Sequence, residues 1–138
     1  MVSLRWNSDW ETGHRTIDRQ HRQLFFQYEL LKAAISDSDS VARIPGLLTY
    51  LASYLDEHFR EEEREMAATD YPGSEAHRLL HGLMRLEVAE VRHDIENDPS
   101  RLTVELLDSL LERFVGHIGV EDYSLVRHLE KRCSEGVA

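Results

Sequence analysis

The sequence predicts an all-α fold: an antiparallel up-down four-helix bundle preceded by an N-terminal arm. Three observations carry this. Apolar residues recur at three-and-four spacing in four separate stretches, the period of a helix face rather than the alternation of a strand. Each stretch is bounded by a cluster of turn-forming residues. Only three prolines and seven glycines fall in 138 residues, which leaves room for long helices. Short connections between amphipathic helices favour antiparallel neighbours.

Residues 1–17 hold Trp6, Trp10 and Gly13 without a clean period and read as an ordered arm packed on the domain. Asp18 is the expected N-cap of the first helix, whose inner face runs through Leu24, Phe25, Tyr28, Leu31 and Ile35. The run Ser36-Asp37-Ser38-Asp39-Ser40 marks a turn. A second helix is expected from about Val41, with Pro45 in its first turn, where a missing N–H costs little. Its face passes through Leu48, Leu51, Leu55, His58, Phe59 and Glu62. Thr69-Asp70-Tyr71-Pro72-Gly73 breaks it, and Ser74 is the expected cap of a third helix carrying His77, Leu80, His81, Met84, Val88, Val91 and Ile95. After Asn97-Asp98-Pro99-Ser100, a fourth helix shows Val104, Leu107, Leu111, Phe114, His117 and Ile118 and is expected to reach about residue 132. With no repeat and no internal linker, residues 1–138 read as one domain, with the bundle over 18–132.

Bulk properties exclude several function classes. A formal charge of −10 disfavours nucleic acid and anionic membrane surfaces, which require clustered Lys and Arg. No apolar run approaches the roughly 20 residues of a membrane span. The first seven residues contain no signal-peptide core, and the single cysteine, Cys133, allows no intrachain disulfide. A reducing, cytoplasmic location is therefore expected. A bundle of this size can stand alone, so a monomer is expected.

Against this background stand seven residues: His21, the pair His58 and Glu62, the pair His77 and His81, and the pair His117 and Asp122. Residues four apart on a helix project from the same side, so the two middle pairs each point into one space, in line with apolar residues of the inner face. His21 lies three residues before Leu24, and His117 three after Phe114. Asp122 does not fit: five residues is about 500° of rotation, or about 140° away from His117. Either the helix is locally widened there, with Gly116 and Gly119 permitting the distortion, or the two groups approach a metal from different sides.

Any one inward histidine is more often a hydrogen-bonded core residue than a ligand, and a glutamate in the run Arg60-Glu61-Glu62-Glu63-Arg64-Glu65 is ordinarily part of a solvated face. Spacing alone does not choose between Glu61 and Glu62. Five imidazoles and two carboxylates buried together are a different matter, because burial without partners is costly and a cationic metal pair removes that cost. Imidazole with carboxylate suits iron, zinc, copper or manganese. If two six-coordinate metals share one oxygen and both carboxylates bridge, one coordination position stays open. Such a position suits a diatomic molecule or a small anion.

The order H, HxxxE, HxxxH, HxxxxD resembles the hemerythrin family, in particular its bacterial branch. The likeness extends to Trp10-Glu11-Thr12-Gly13, Ile17-Asp18-Arg19-Gln20-His21, His58-Phe59 through Glu62-Glu63 to Met66, Tyr71-Pro72, and His117-Ile118, and covers the chain from about residue 6 to about 130. The resemblance implies a non-haem centre of two iron ions (Fe2+/Fe3+) with an oxo or hydroxo bridge that binds O2 reversibly. It assigns His77, His81 and His117 to one iron, His21 and His58 to the other, and Glu62 and Asp122 to both, which also selects Glu62 over Glu61. The family commonly carries a Trp-Leu pair four and three residues ahead of the fourth-helix histidine. Here those positions are Arg113 and Phe114, so Phe114 is expected to wall the ligand pocket with a different shape. His14, His93 and His128 match no ligand position.

The function expected is reversible O2 binding for oxygen delivery, storage or sensing, without enzymatic turnover. Many anionic ligands favour high-valent iron, and this set has only two. The alternatives are a regulatory module in which O2, nitric oxide or redox state alters the arm and a separate protein reads the change, or an enzyme turning over peroxide or nitric oxide, or a zinc hydrolase.

Overall fold

A computed structural model describes residues 6–134; the first five residues of the expected arm and the last four of the expected domain lie outside the described residues. The helices are α1 (Arg15–Ile35), α2 (Ile44–Ala68), α3 (Ser74–Ile95), α4 (Val104–His117) and α5 (Tyr123–Ser134). A π turn, Ile118–Asp122, joins α4 to α5, so the expected fourth helix is one rod with a single wide turn inside it. Short 3-10 helices occupy Ser8–Trp10, Ser38–Arg43 and Pro99–Arg101, and no strand occurs among the described residues.

The core is the stack of inner-face residues that the period marks: Leu24, Tyr28 and Leu31 from α1, Leu48, Leu55 and Phe59 from α2, Val88, Val91 and Ile95 from α3, and Leu107, Leu111 and Phe114 from α4. Burial of side chains of this size contributes about 1.5–3 kcal/mol each. The polar cluster lies toward the N-terminal ends of α1 and α3 and the C-terminal ends of α2 and α4. The apolar core occupies the remainder of each helix, so alternate helices run in opposite directions. No helix among the described residues is long and apolar enough to cross a membrane.

The caps differ from expectation. α1 begins at Arg15, ahead of residue 18, and its N-cap is His14, whose Nδ1 accepts from the Ile17 amide at 3.2 Å. Asp18 is instead buried and anchors the arm, accepting from the Thr12 amide at 2.8 Å, the Thr12 hydroxyl at 2.7 Å and the Gly13 amide at 3.0 Å. Gly13 has φ +94°, the left-handed conformation that a side chain resists. Farther out, Trp6 and Trp10 pack on Phe25, with ring centroids 6.2 and 5.5 Å away.

α2 starts at Ile44 rather than Val41, because Asp37 accepts from the Asp39 amide and the Ser40 hydroxyl and winds the preceding residues into a tighter 3-10 helix. Pro45 does sit in the first turn. At the other end of α2, Asp70 takes φ +52° and the Tyr71 amide bonds back to the Met66 carbonyl at 3.0 Å, a Schellman closure. Ser74 is the first residue of α3 rather than its cap; the cap position belongs to Gly73, whose side makes no capping bond. A Cβ there would lie 2.9 Å from the Tyr71 ring. Thr103 caps α4, accepting from the Leu106 amide at 3.1 Å.

Candidate metal centre

The helices bring all seven singled-out residues into one chamber. His21 comes from α1, His58 and Glu62 from α2, His77 and His81 from α3, His117 from the last turn of α4, and Asp122 from the π turn. None is more than 5% exposed. Glu62 is fully buried, whereas Glu61 is half-buried and pairs with Arg64.

The π turn resolves the misfit at Asp122. The Tyr123 amide bonds to the Ile118 carbonyl five residues back, which underwinds the helix and returns Asp122 to the side of His117; Asp122 Oδ1 lies 2.9 Å from His117 Nε2. Ile118 and Asp122 face inward while Gly119 and Val120 face solvent, so the turn is held by what it buries. Neither glycine is needed to make room for it: a Cβ on Gly116 or Gly119 meets no atom within 4 Å.

The ligand atoms fall into two overlapping groups. Glu62, His77, His81, His117 and Asp122 form one, and His21, His58, Glu62 and Asp122 the other, with the atoms of each group within 4.8 Å of one another. Glu62 and Asp122 belong to both. Asp122 Oδ2 is 2.9 Å from His21 Nε2, and its Oδ1 is 3.0 Å from His77 Nε2. Glu62 Oε1 is 3.1, 3.5 and 3.6 Å from the Nε2 atoms of His81, His77 and His58. All five histidines thus present Nε2 to the chamber, and the His21 side has one protein ligand fewer than the His77 side.

A cation fits this donor set. The Nε2 atoms of His21, His58 and His77 and both oxygens of Glu62 and Asp122 are buried without a well-formed hydrogen bond. His81 donates from Nδ1 to Glu63 Oε2 at 2.8 Å, so its Nε2 carries a lone pair, and that lone pair faces His117 Nε2 at 3.2 Å. Lone pairs gathered at such distances repel unless a positive ion lies between them. Burial holds His58 and His81 well below the usual imidazole range, His81 down to about 2, with neighbouring histidines adding to the effect. Both are neutral at physiological pH, the form that binds metals. Burial, then the nearby Asp122 charge, pushes Glu62 well above the usual carboxylate range. Burial also opposes ionisation of Asp122, but the imidazoles of His117, His21 and His77 outweigh it and hold Asp122 well below that range.

Several supporting roles escaped the sequence reading. Glu63 holds His81 and is itself held by Arg85 Nη2 at 3.1 Å, while Arg85 Nε donates to Asp56 at 2.8 Å. Gln20 Oε1 lies 2.7 Å from His58 Nδ1. Phe59 stacks on His81, centroids 4.0 Å apart and planes 13° from parallel. Such partners fix which ring nitrogen is free and which way it points. Phe114 sets its ring edge-on to His21 and His58, with centroids 5.5 and 6.4 Å away, on the side with fewer ligands. Arg113 points outward and pairs with Glu87. His14 caps α1, His93 is solvent-exposed, and His128 bonds the Thr69 carbonyl at 3.0 Å, so the structure places all three outside the chamber.

Comparison with known proteins agrees with this geometry. Residues 12–129 match the family described as the Hemerythrin HHE cation binding domain. A bacteriohemerythrin of Pseudomonas paraeruginosa is 30% identical over 136 residues, covering 98% of this chain and 87% of its own length. One from Clostridium acetobutylicum is 30% identical over 123 residues, covering 85% and 94%, and one from Ralstonia nicotianae is 26% identical over 132 residues, covering 96% and 93%. With the match running through both ends of the histidine cluster, the chain belongs to the hemerythrin family.

Proposed function

We propose that this chain is a non-haem di-iron protein that binds O2 reversibly, with His77, His81 and His117 on one iron, His21 and His58 on the other, and Glu62 and Asp122 shared. The observation that carries this reading is the pair of overlapping buried ligand groups, unequal by one protein ligand and joined through the same two carboxylates. An iron pair, if held there, would supply reversible electron exchange with O2.

The chain's own residues determine the rest. Burial keeps His58 and His81 neutral, and Gln20 and Glu63 hold them with Nε2 turned inward. Phe114 sets an apolar ring against the His21 and His58 side, which would disfavour water beside a metal held there. Only two carboxylates enter the ligand set, so the charge that would favour oxidative chemistry over simple binding is low. We therefore assign binding rather than turnover, and on the single cysteine and the size of the bundle we assign a cytoplasmic monomer.

Metal analysis of the purified chain tests the assignment: two irons per chain support it, and a colourless zinc-loaded protein contradicts it. Steady consumption of peroxide or nitric oxide by the iron form contradicts the assignment of binding without turnover.

One observation favours a second reading as a regulatory module. The arm is tied to α1 through Asp18, three residues before His21, and to α5 through Arg127, whose Nη2 donates to the Thr12 carbonyl at 2.7 Å, five residues after Asp122. A change at the ligands has a short mechanical route to Trp6 and Trp10. Tryptophan fluorescence that changes between the reduced and O2-bound forms supports this reading, and an unchanged signal removes it.

A further inference from the structure

Below Phe114, on the side away from the metal ligands, the four helices leave a cavity of about 60 Å³. Leu24 of α1, Leu55 of α2, Val88 of α3, and Leu111 and Phe114 of α4 line it. Its few polar lining groups are already engaged. The Tyr28 hydroxyl bonds Asp108, leaving only the ring toward the space, and Glu87 and Arg113 pair with each other. A water entering there finds no free partner, and apolar space of this kind favours apolar guests such as xenon. Glu87 and Arg113 are the charged members of the lining, and both are partly exposed, so they mark the solvent side. Phe114 marks the inner side, with its ring against His21 and His58.

We infer that this cavity is a holding site for a small apolar gas, from which O2 reaches the His21 and His58 side past Phe114, with the Glu87–Arg113 ion pair across its mouth. The second half rests on the O2-binding reading above; the first half does not. The volume suits a diatomic molecule or one xenon atom and is well short of the roughly 150 Å³ engineered cavities that admit benzene. An apolar gas gains dispersion contact there, whereas an anion has no donor to meet it, so the site selects O2 or nitric oxide over charged ligands.

The test is a xenon titration followed by the methyl NMR signals of Leu55, Val88 and Leu111, on iron-free and iron-loaded protein, together with stopped-flow O2 association. Val88→Leu and Leu111→Phe narrow the cavity from different helices, so one remains informative if the other does not fold; iron content is measured on both. The expected result is saturable shifts of these methyls, lost in the narrowed variants, with unchanged iron content and O2 association slowed by about threefold or more. Methyls that do not respond to xenon overturn the holding site. Unchanged O2 association in a folded, narrowed variant overturns its place on the path. Failure of iron loading counts against the function proposed above, while the xenon titration still decides the cavity.

Discussion

Glu62 and Asp122 share one buried chamber but respond to it in opposite ways. Glu62 has no strong donor turned toward it and is driven toward its protonated form, whereas Asp122 is surrounded by three imidazoles and stays ionised. Metal uptake is therefore expected to displace a proton from Glu62 and to strengthen as pH rises. Removing a ligand is expected to be far more damaging than removing a histidine elsewhere. His77→Ala and Glu62→Ala are expected to lose most of their iron and His93→Ala to retain it, as measured by metal analysis of the purified variants; equal iron in all three would refute the ligand assignment.

The metal-free protein should also be acid-labile. His58 and His81 are held neutral below their ordinary value of 6.5, so as pH falls the unfolded chain takes up protons that the folded chain refuses, and stability is lost progressively below about pH 6.5. Glu62 acts the other way, gaining a proton in the fold above its ordinary 4.5, and offsets part of the loss. Asp122 adds a further loss below its ordinary 3.8. With two histidines against one glutamate, thermal unfolding of the metal-free protein is expected at a lower temperature at about pH 5 than at about pH 7. A midpoint that is unchanged or higher at the acid end would contradict the buried neutral histidines.

At the scale of the element, the π turn is what brings Asp122 back to the side of His117. Inserting one alanine after Val120, an exposed residue of that turn, adds a residue beyond what the wide turn absorbs and rotates Asp122 relative to His117 by about 100°. The insertion is expected to keep the helical circular-dichroism signal and lose iron; an insertion variant with full iron would show that the register set by the turn is not required. The glycines flanking it behave differently. A methyl group at position 116 meets no neighbour, so Gly116→Ala is expected to keep its iron and gain about 0.5–1 kcal/mol of stability by chemical denaturation, since alanine loses less freedom in a helix. A loss of iron in that variant would return the glycine to a role in the distortion.

Across the whole molecule, what was legible in the sequence divides by the range of the physics involved. The inner-face period of Leu24, Tyr28 and Leu31, or of Val88, Val91 and Ile95, is written in the local chain, and all six residues are buried in the core. Asp122 was legible as a misfit, because a helix has one pitch and the ligand spacing departed from it. The caps were less so. Asp18 has the chemistry of a cap, but Thr12 and Gly13 engage its carboxylate, and that competition is decided by where the arm lies. Glu63 was hidden in a charged run that reads as solvated surface, and nothing in the local chain marks Arg85, since their value comes from a contact between α2 and α3. The cavity below Phe114 was beyond reach for the same reason: a void is a property of four helices together.

The most direct measurement follows the visible spectrum of the purified, iron-loaded chain, reduced without air and then carried through repeated addition and removal of O2. The expected result is one set of absorption bands that appears with O2, vanishes on its removal and returns over several cycles, with two irons per chain before and after. Irreversible bleaching on the first exposure, or a chain that holds no iron, would contradict reversible O2 binding at the His21 and His58 side of the centre.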